Sequence, residues 1–256
     1  RIVLRGFCET RDLDRALACY ERAVQLEGGV EAAMDGDVLF GYGRALFTKK
    51  QADAALRALS RAVTLLPGSA DAHHVLGQAQ AKLGQPDAAI ASYRKAVDLA
   101  PGWADALVSL GRLYGKLGRD AEALDPLTQA AGMAQEDLTT QLSLGGVLER
   151  LGRPADALRV YLSALDVEHK NEARIQNNIG NALGRLGRWA DALGAYHEAE
   201  DADPEFYAAQ NIRRGADEFQ RDHHVSRQIT VCANFQNGEF KISKCPESHI
   251  DALIGL

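Results

Sequence analysis

The sequence predicts an all-α protein, an α-solenoid of stacked helix-turn-helix units that ends in a capping helix and a short β-hairpin-like tail. Three observations carry this expectation. Glycines return at a fixed step, at Gly43, Gly77, Gly111 and Gly145, each 34 apart, and then at Gly180, 35 further on. Alanines keep the same step at Ala55, Ala89, Ala123 and Ala157, followed by Ala192, and a second series runs Ala62, Ala96, Ala130, Ala164, Ala199. Aromatic residues make up only 6% of the 256 residues while Ala, Leu and Gly abound, which favours helices packed through small side chains over a β-rich core. A period of this length marks a repeat architecture, in which one unit is too small to bury its own apolar face and must stack on its neighbours.

Each period reads as two helices. In "ADAHHVLGQAQAKLG" apolar residues recur at helical spacing, and Gly84 then supplies a stop that tolerates positive φ. "QPDAAIASYRKAVDLAP" opens with Pro86 at a helix entrance, where its missing N–H costs nothing. Ile90, Tyr93, Ala96, Val97 and Leu99 form the apolar stripe, and Pro101 closes the unit, as Pro67 and Pro204 close others. Gly77 and Ala89 have the size required where two helices touch. Tyr93, Tyr161 and Tyr196 share one register position, which Leu59 and Leu127 fill in the other copies.

These residues resemble the tetratricopeptide repeat family over roughly residues 8 to 206. Five full copies run 36–69, 70–103, 104–137, 138–172 and 173–206. A degenerate copy occupies 1–35, with its second helix in "DLDRALACYERAVQL" and Ala16, Tyr20 and Ala23 in register. Lys50 replaces the mid-repeat Gly, and Gln135 and His169 replace the closing Pro. The resemblance implies a right-handed superhelix whose concave face is lined by the first helix of each repeat. Residues 207–224 stay helical and charged without the Leu-Gly signature and fit a capping helix.

Residues 225–256 are a different kind of sequence. "QITVCANFQNGEFKISKC" alternates apolar and polar residues around Asn237-Gly238, the preferred two-residue turn of a tight hairpin. In that register Phe235 faces Phe240 and Ala233 faces Ile242. A lone hairpin is marginal in water, so it is expected to pack on the cap helix, a partner or a further domain.

Several function classes are disfavoured. A formal charge of −6 gives no pull toward nucleic acid, and no apolar run is long enough for a membrane span. The opening "RIVLRGFCET" lacks Met and reads as a trimmed product. Four scattered cysteines, Cys8, Cys19, Cys232 and Cys245, lean toward a reducing compartment, and a cytoplasmic location is expected. There is no phosphate-binding glycine loop, nucleophile elbow or paired-His zinc helix, so neither catalysis nor a cofactor is expected. The tail collects His223, His224, Cys232, Cys245 and His249, residue types that ligate zinc, but Cys245 and His249 make only half a site and no matching half lies at zinc spacing. They are read as ordinary residues, with no metal.

The family's concave positions, carried onto this chain, give a row of candidates. The thirteenth position supplies Lys82, Lys116, Arg150 and Arg185, the ninth Arg44, Gln78, Arg112 and Asn181, and the second Asp37, Asp71, Asp105 and Arg174. His74 is expected to point toward the groove and His73 toward the helix pair. Asp near a helix start and Lys or Arg near its end also suit the helix dipole, so the charges have a structural reading beside the functional one. The last full repeat, "RIQNNIGNALGR", adds Asn177 and Asn178 to Arg174, Asn181 and Arg185. Asn carries both donor and acceptor and can grip a peptide backbone. This is similar to the asparagine contacts of carboxylate-clamp co-chaperones, although those place Lys at the fifth position, where this chain has Asn177. Phe40 and Phe47 suggest an apolar pocket near the other end.

The expected function is a non-enzymatic scaffold that holds a partner protein or peptide in its groove. An acidic segment or a free C-terminus would suit the basic row. The alternative is an accessory or substrate-recruiting arm of an enzyme complex, docking through the hairpin tail. Self-association through terminal repeats is a further expectation that the resemblance carries.

Overall fold

The computed structural model describes residues 13–133, 137–167 and 172–203, and the strand residues 235–236 and 239–240. Among them are eleven helices: α1 (Leu13–Leu26), α2 (Gly36–Thr48), α3 (Ala52–Leu65), α4 (Ala70–Lys82), α5 (Pro86–Leu99), α6 (Ala104–Lys116), α7 (Asp120–Met133), α8 (Leu138–Arg150), α9 (Pro154–Val167), α10 (Glu172–Arg185) and α11 (Trp189–Ala202). The chain divides into two compact units, residues 1–147 and 148–256.

Local chemistry sets the helix ends. Asp35 caps α2 by accepting from the N–H groups of Asp37 and Val38, each at 3.1 Å. Ser69 caps α4 through Ala72, and Asp137 caps α8 through Thr139 and Thr140. These oxygens satisfy amide donors that a helix start leaves unpaired. First helices stop on a left-handed residue: Gly84, Gly118 and Gly152 at φ 71° and Gly187 at φ 74°. The next N–H then reaches back five residues, from Gln85 to Gln80, Arg119 to Tyr114, Arg153 to Leu148 and Arg188 to Leu183. This is the Schellman closure, and it turns the chain toward the second helix. Lys50 adopts the same conformation after α2, at φ 63°, with Gln51 bonded back to Leu46. A β-carbon makes that conformation costly, which is why the other copies use glycine.

In the unit of residues 1–147, the most extensive packing joins the two helices of a pair, α2 with α3, α4 with α5 and α6 with α7. Each second helix then packs on the next first helix, as α3 does on α4 and α5 on α6. The small residues lie where the repeat requires them. Ala55, Ala62, Ala89, Ala96, Ala123 and Ala130 are fully buried. A β-carbon on Gly77 would stand 2.7 Å from the Tyr93 ring, and one on Gly43 or Gly111 would stand 2.6 or 2.5 Å from Leu59 or Leu127. The degenerate first copy uses the same device with the partners changed, since Gly41 receives the ring of Tyr20 from α1. Ala16 and Ala23 of α1 are buried as expected. Phe40 and Phe47 are half-buried against the cluster of Leu46, Leu59 and Leu76, so their rings serve the core.

In the unit of residues 148–256, α9 packs on α10 and α10 on α11. Ala157, Ala164, Ala192 and Ala199 are buried, and Gly180 lies under the ring of Tyr196, at 2.5 Å from where a β-carbon would be. The expected capping helix 207–224 and most of the tail, with His223, His224, Cys232, Cys245 and His249, lie outside the described residues. Within the tail, β1 (Phe235–Gln236) and β2 (Glu239–Phe240) pair antiparallel with Phe235 opposite Phe240.

One cysteine departs from expectation. Cys19 on α1 is disulfide-bonded, which the reading of four scattered cysteines did not anticipate.

Two expected outcomes test this packing. Gly77→Ala should lower the urea midpoint by an amount equivalent to about 1–3 kcal/mol, because the new methyl meets an aromatic ring that cannot retreat. Lys50→Gly should raise it by roughly 0.5–1 kcal/mol, the relief of left-handed strain less the extra freedom glycine gives the unfolded chain.

Candidate functional site

The candidate residues of the first unit sit on α2, α4 and α6. Arg44, Lys82, Arg112 and Lys116 are exposed and Gln78 is half-buried. Arg44 leans over the Phe40 ring at 5.5 Å. Lys82, Arg112 and Lys116 form no ion pair among the described residues. Cations elsewhere on this unit behave differently: Lys49 pairs with Asp14, and Arg119 chelates Glu122 with two bonds of 2.5 Å. Exposed pairs of that kind contribute about 0–1 kcal/mol, but they neutralise their surface. The α4 and α6 cations remain available to an external anion.

His74 does not behave as a groove residue. Its side chain is only 6% exposed. The ring lies edge-on to Trp103 at 4.6 Å and tilted to Tyr93 at 5.6 Å. Nε2 lies 2.9 Å from Ser109 Oγ on α6, so the ring joins one repeat to the next. Burial lowers its pKa, against the pull of Asp105 and Asp71 in the other direction. Tyr93, buried beside it, is pushed up to about 12. His73 is half-buried with Nε2 3.3 Å from the Pro67 carbonyl.

The second unit carries a denser polar site. Arg174, Asn178, Asn181 and Arg185 on α10 are spaced four, three and four residues apart, which puts them on one helix face. Arg174 and Arg185 are exposed, and Asn178 and Asn181 are half-buried. Asn177 is 7% exposed and belongs to the interior side of the helix. Tyr196, on α11 behind this face, donates its hydroxyl to Asn181 Oδ1 at 2.8 Å. Tyr161, on α9 and 1% exposed, donates to Glu149 Oε1 at 2.9 Å. The other oxygen of Glu149 lies 3.5 Å from Arg185 Nε. Burial raises the Glu149 carboxyl above its ordinary range, while the Tyr161 hydroxyl and the Arg185 and Arg150 charges draw it back down. The Tyr161 phenol is held well above its own range by burial and by Glu149, and it remains a donor. Arg150 is exposed next to Glu149 on α8.

Glu149, Tyr161 and Tyr196 were not among the candidate site residues; the two tyrosines stood out in the sequence only as occupants of a shared register position. A signal existed: Glu149 occupies the twelfth repeat position, one of the family's concave positions, and the tyrosines share a register position that is leucine in two other copies. No group of three His, Cys, Asp or Glu among the described residues is arranged to hold a metal. No described helix is long and apolar enough to cross a membrane.

Tetratricopeptide repeat models match residues 7–70, 70–102 and 136–205. Together with the paired helices and their small-residue contacts, they show that the chain belongs to the tetratricopeptide repeat family. Among solved structures, a crystal structure of MamA is 23% identical, with a TM-score of 0.62, over 66% of this chain and 92% of that one. YrrB, described as a TPR protein with an unusual peptide-binding site, is 18% identical, with a TM-score of 0.66, over 79% of this chain and 97% of its own. MamA from Desulfovibrio magneticus RS-1 is also 18% identical, with a TM-score of 0.63, over 68% of this chain and 99% of that one. At these identities the likeness establishes the fold. No curated protein sequence matches the chain at a significant level.

The burial of His74 has a pH consequence. Its folded-state pKa lies below its ordinary value of 6.5, so its contribution to stability is complete above that pH and is lost as the pH falls toward the folded-state value. The melting temperature should therefore drop on acidification from about pH 7 to pH 5. His74→Gln should show a shallower drop over the same window, measured by circular dichroism.

Proposed function

We propose that the protein is a non-enzymatic interaction scaffold that holds an extended segment of a partner protein on the exposed faces of its first helices. The observation that carries this reading is the face of α10, where two cations and two amides lie in line and are exposed or half-buried. The unpaired cations Lys82, Arg112 and Lys116 extend the same character to the first unit and favour a partner with acidic residues. Tetratricopeptide repeat proteins in general serve as interaction scaffolds, and YrrB is described as having a peptide-binding site. Among the described residues, the Glu149 carboxylate is engaged by Tyr161 and Arg185, and the His74 ring that touches Ser109 is enclosed by Trp103 and Tyr93 and buried, so this serine–histidine contact has no open space beside it for a substrate.

The triple variant Asn178→Ala, Asn181→Ala, Arg185→Ala tests the reading. It should retain the helical circular dichroism of the parent chain and lose at least about tenfold in affinity for a partner co-purified with the full chain, as expected for several lost polar contacts. Undiminished partner binding would remove the α10 face from the site.

A further inference from the structure

The two tyrosine hydroxyls behind the α10 face act on its polarity. Asn181 carries both an acceptor and two donors, and which of them it shows to a ligand depends on what holds the other end. Its Oδ1 is occupied by the Tyr196 hydroxyl, so its amide N–H groups are the part left to face outward. Arg185 is held in a similar way. Tyr161 fixes Glu149 through one oxygen, and the other oxygen faces Arg185 Nε, which leaves the terminal guanidinium nitrogens of a side chain that is 56% exposed. Arg174 and Asn178 have no hydrogen bond or ion pair among the described residues. The outcome is a face on which Asn181 and Arg185 are fixed as donors, in line with Arg174, a donor by its chemistry, and with Asn178, whose amide is free to turn its N–H groups toward a carbonyl.

We propose that Tyr161 and Tyr196 are positioning residues that make α10 a one-sided donor row, and that this row binds an extended acidic peptide whose carboxylates are spaced about five residues apart. This rests on the peptide-binding reading above and adds the chemistry of the peptide. Arg174 and Arg185 are eleven residues apart, which is about 16 Å along a helix axis at 1.5 Å per residue. About five residues of extended chain, at about 3.3 Å each, cover that distance. A carboxylate at each end meets an arginine, where paired N–H···O bonds are strong. The backbone carbonyls between them meet the amides of Asn178 and Asn181, which accept any side chain. The device is confined to copies with tyrosine at this register position. Leu59 and Leu127 fill the same place in two copies of the first unit and carry no hydroxyl.

The test uses the full chain and two capped hexapeptides of equal charge, acetyl-DGGGGD-amide and acetyl-GGDDGG-amide, titrated while the side-chain amide signals of Asn178 and Asn181 are followed by NMR. The parent chain should bind the spaced peptide more tightly than the compact one, with both amide signals shifting. Tyr196→Phe keeps the ring on Gly180 and should weaken the spaced peptide roughly tenfold, the order expected for one misdirected hydrogen-bonding group. Asn181→Asp keeps the acceptor for Tyr196 and turns the outward donor into an acceptor. At this half-exposed site it should abolish the preference for the spaced peptide, and it serves where Tyr196→Phe perturbs folding. Equal affinity for the two peptides, parent-like binding by both variants, or no shift of the two amides would each overturn the proposal. If that happens while the triple alanine variant still loses its cellular partner, the groove reading stands and only this chemistry falls.

Discussion

Helix pairs in this protein close on a residue without a side chain, and their stacking follows from that contact. At Gly43, Gly77, Gly111 and Gly180 the first helix of a pair offers a gap, and Leu59, Tyr93, Leu127 and Tyr196 from the second helix fill it. Buried alanines line the same seam, at exposures of 0 or 1% in the copies where they recur. Contacts at this distance leave no room for even one methyl group, so pairing is specified by shape and not by apolar character alone. Because one pair buries too little surface to stand alone, stability accrues through neighbours.

In the second unit the same contact links packing to the polar groups of the first helices. A leucine in the gap under a first helix can only fill it. A tyrosine fills it with its ring and still carries a hydroxyl that reaches a polar residue of the first helix. Tyr196 does both with Gly180 and Asn181, and Tyr161 reaches Glu149. The polar groups are thereby held by buried anchors, which lowers the ordering cost a ligand would otherwise meet. His74 shows the opposite outcome. Its place on a first helix suggested exposure, yet Trp103 and Ser109 of the following repeat enclose it.

Much of this was legible in the sequence because small-residue periodicity is a direct record of helix contacts. The glycine and alanine series, the positive-φ stops and even the exception at Lys50 were all readable, since each reflects a local steric rule. Side-chain direction was harder to read. His74 and Asn177 occupy positions that the family exposes, and here their surroundings bury them. Repeat position gives the angle around a helix axis but not the size of the neighbours. The Glu149–Arg185 pair with its tyrosine was hidden for a related reason, since it joins residues 12 and 36 positions apart through three helices, and no single-helix pattern contains it. The disulfide at Cys19 was missed because spacing alone does not report thiol proximity.

The proposed function places a bound partner on the first-helix face and not on the outer helices. The most direct measurement is site-specific photo-crosslinking in the cells that make the protein, with a photoreactive residue placed at Asn178 on α10 or at exposed Glu198 on α11. The account predicts a discrete crosslinked product from position 178, mapping to one extended acidic segment, and none from position 198. A product from 198 with nothing from 178 would contradict it.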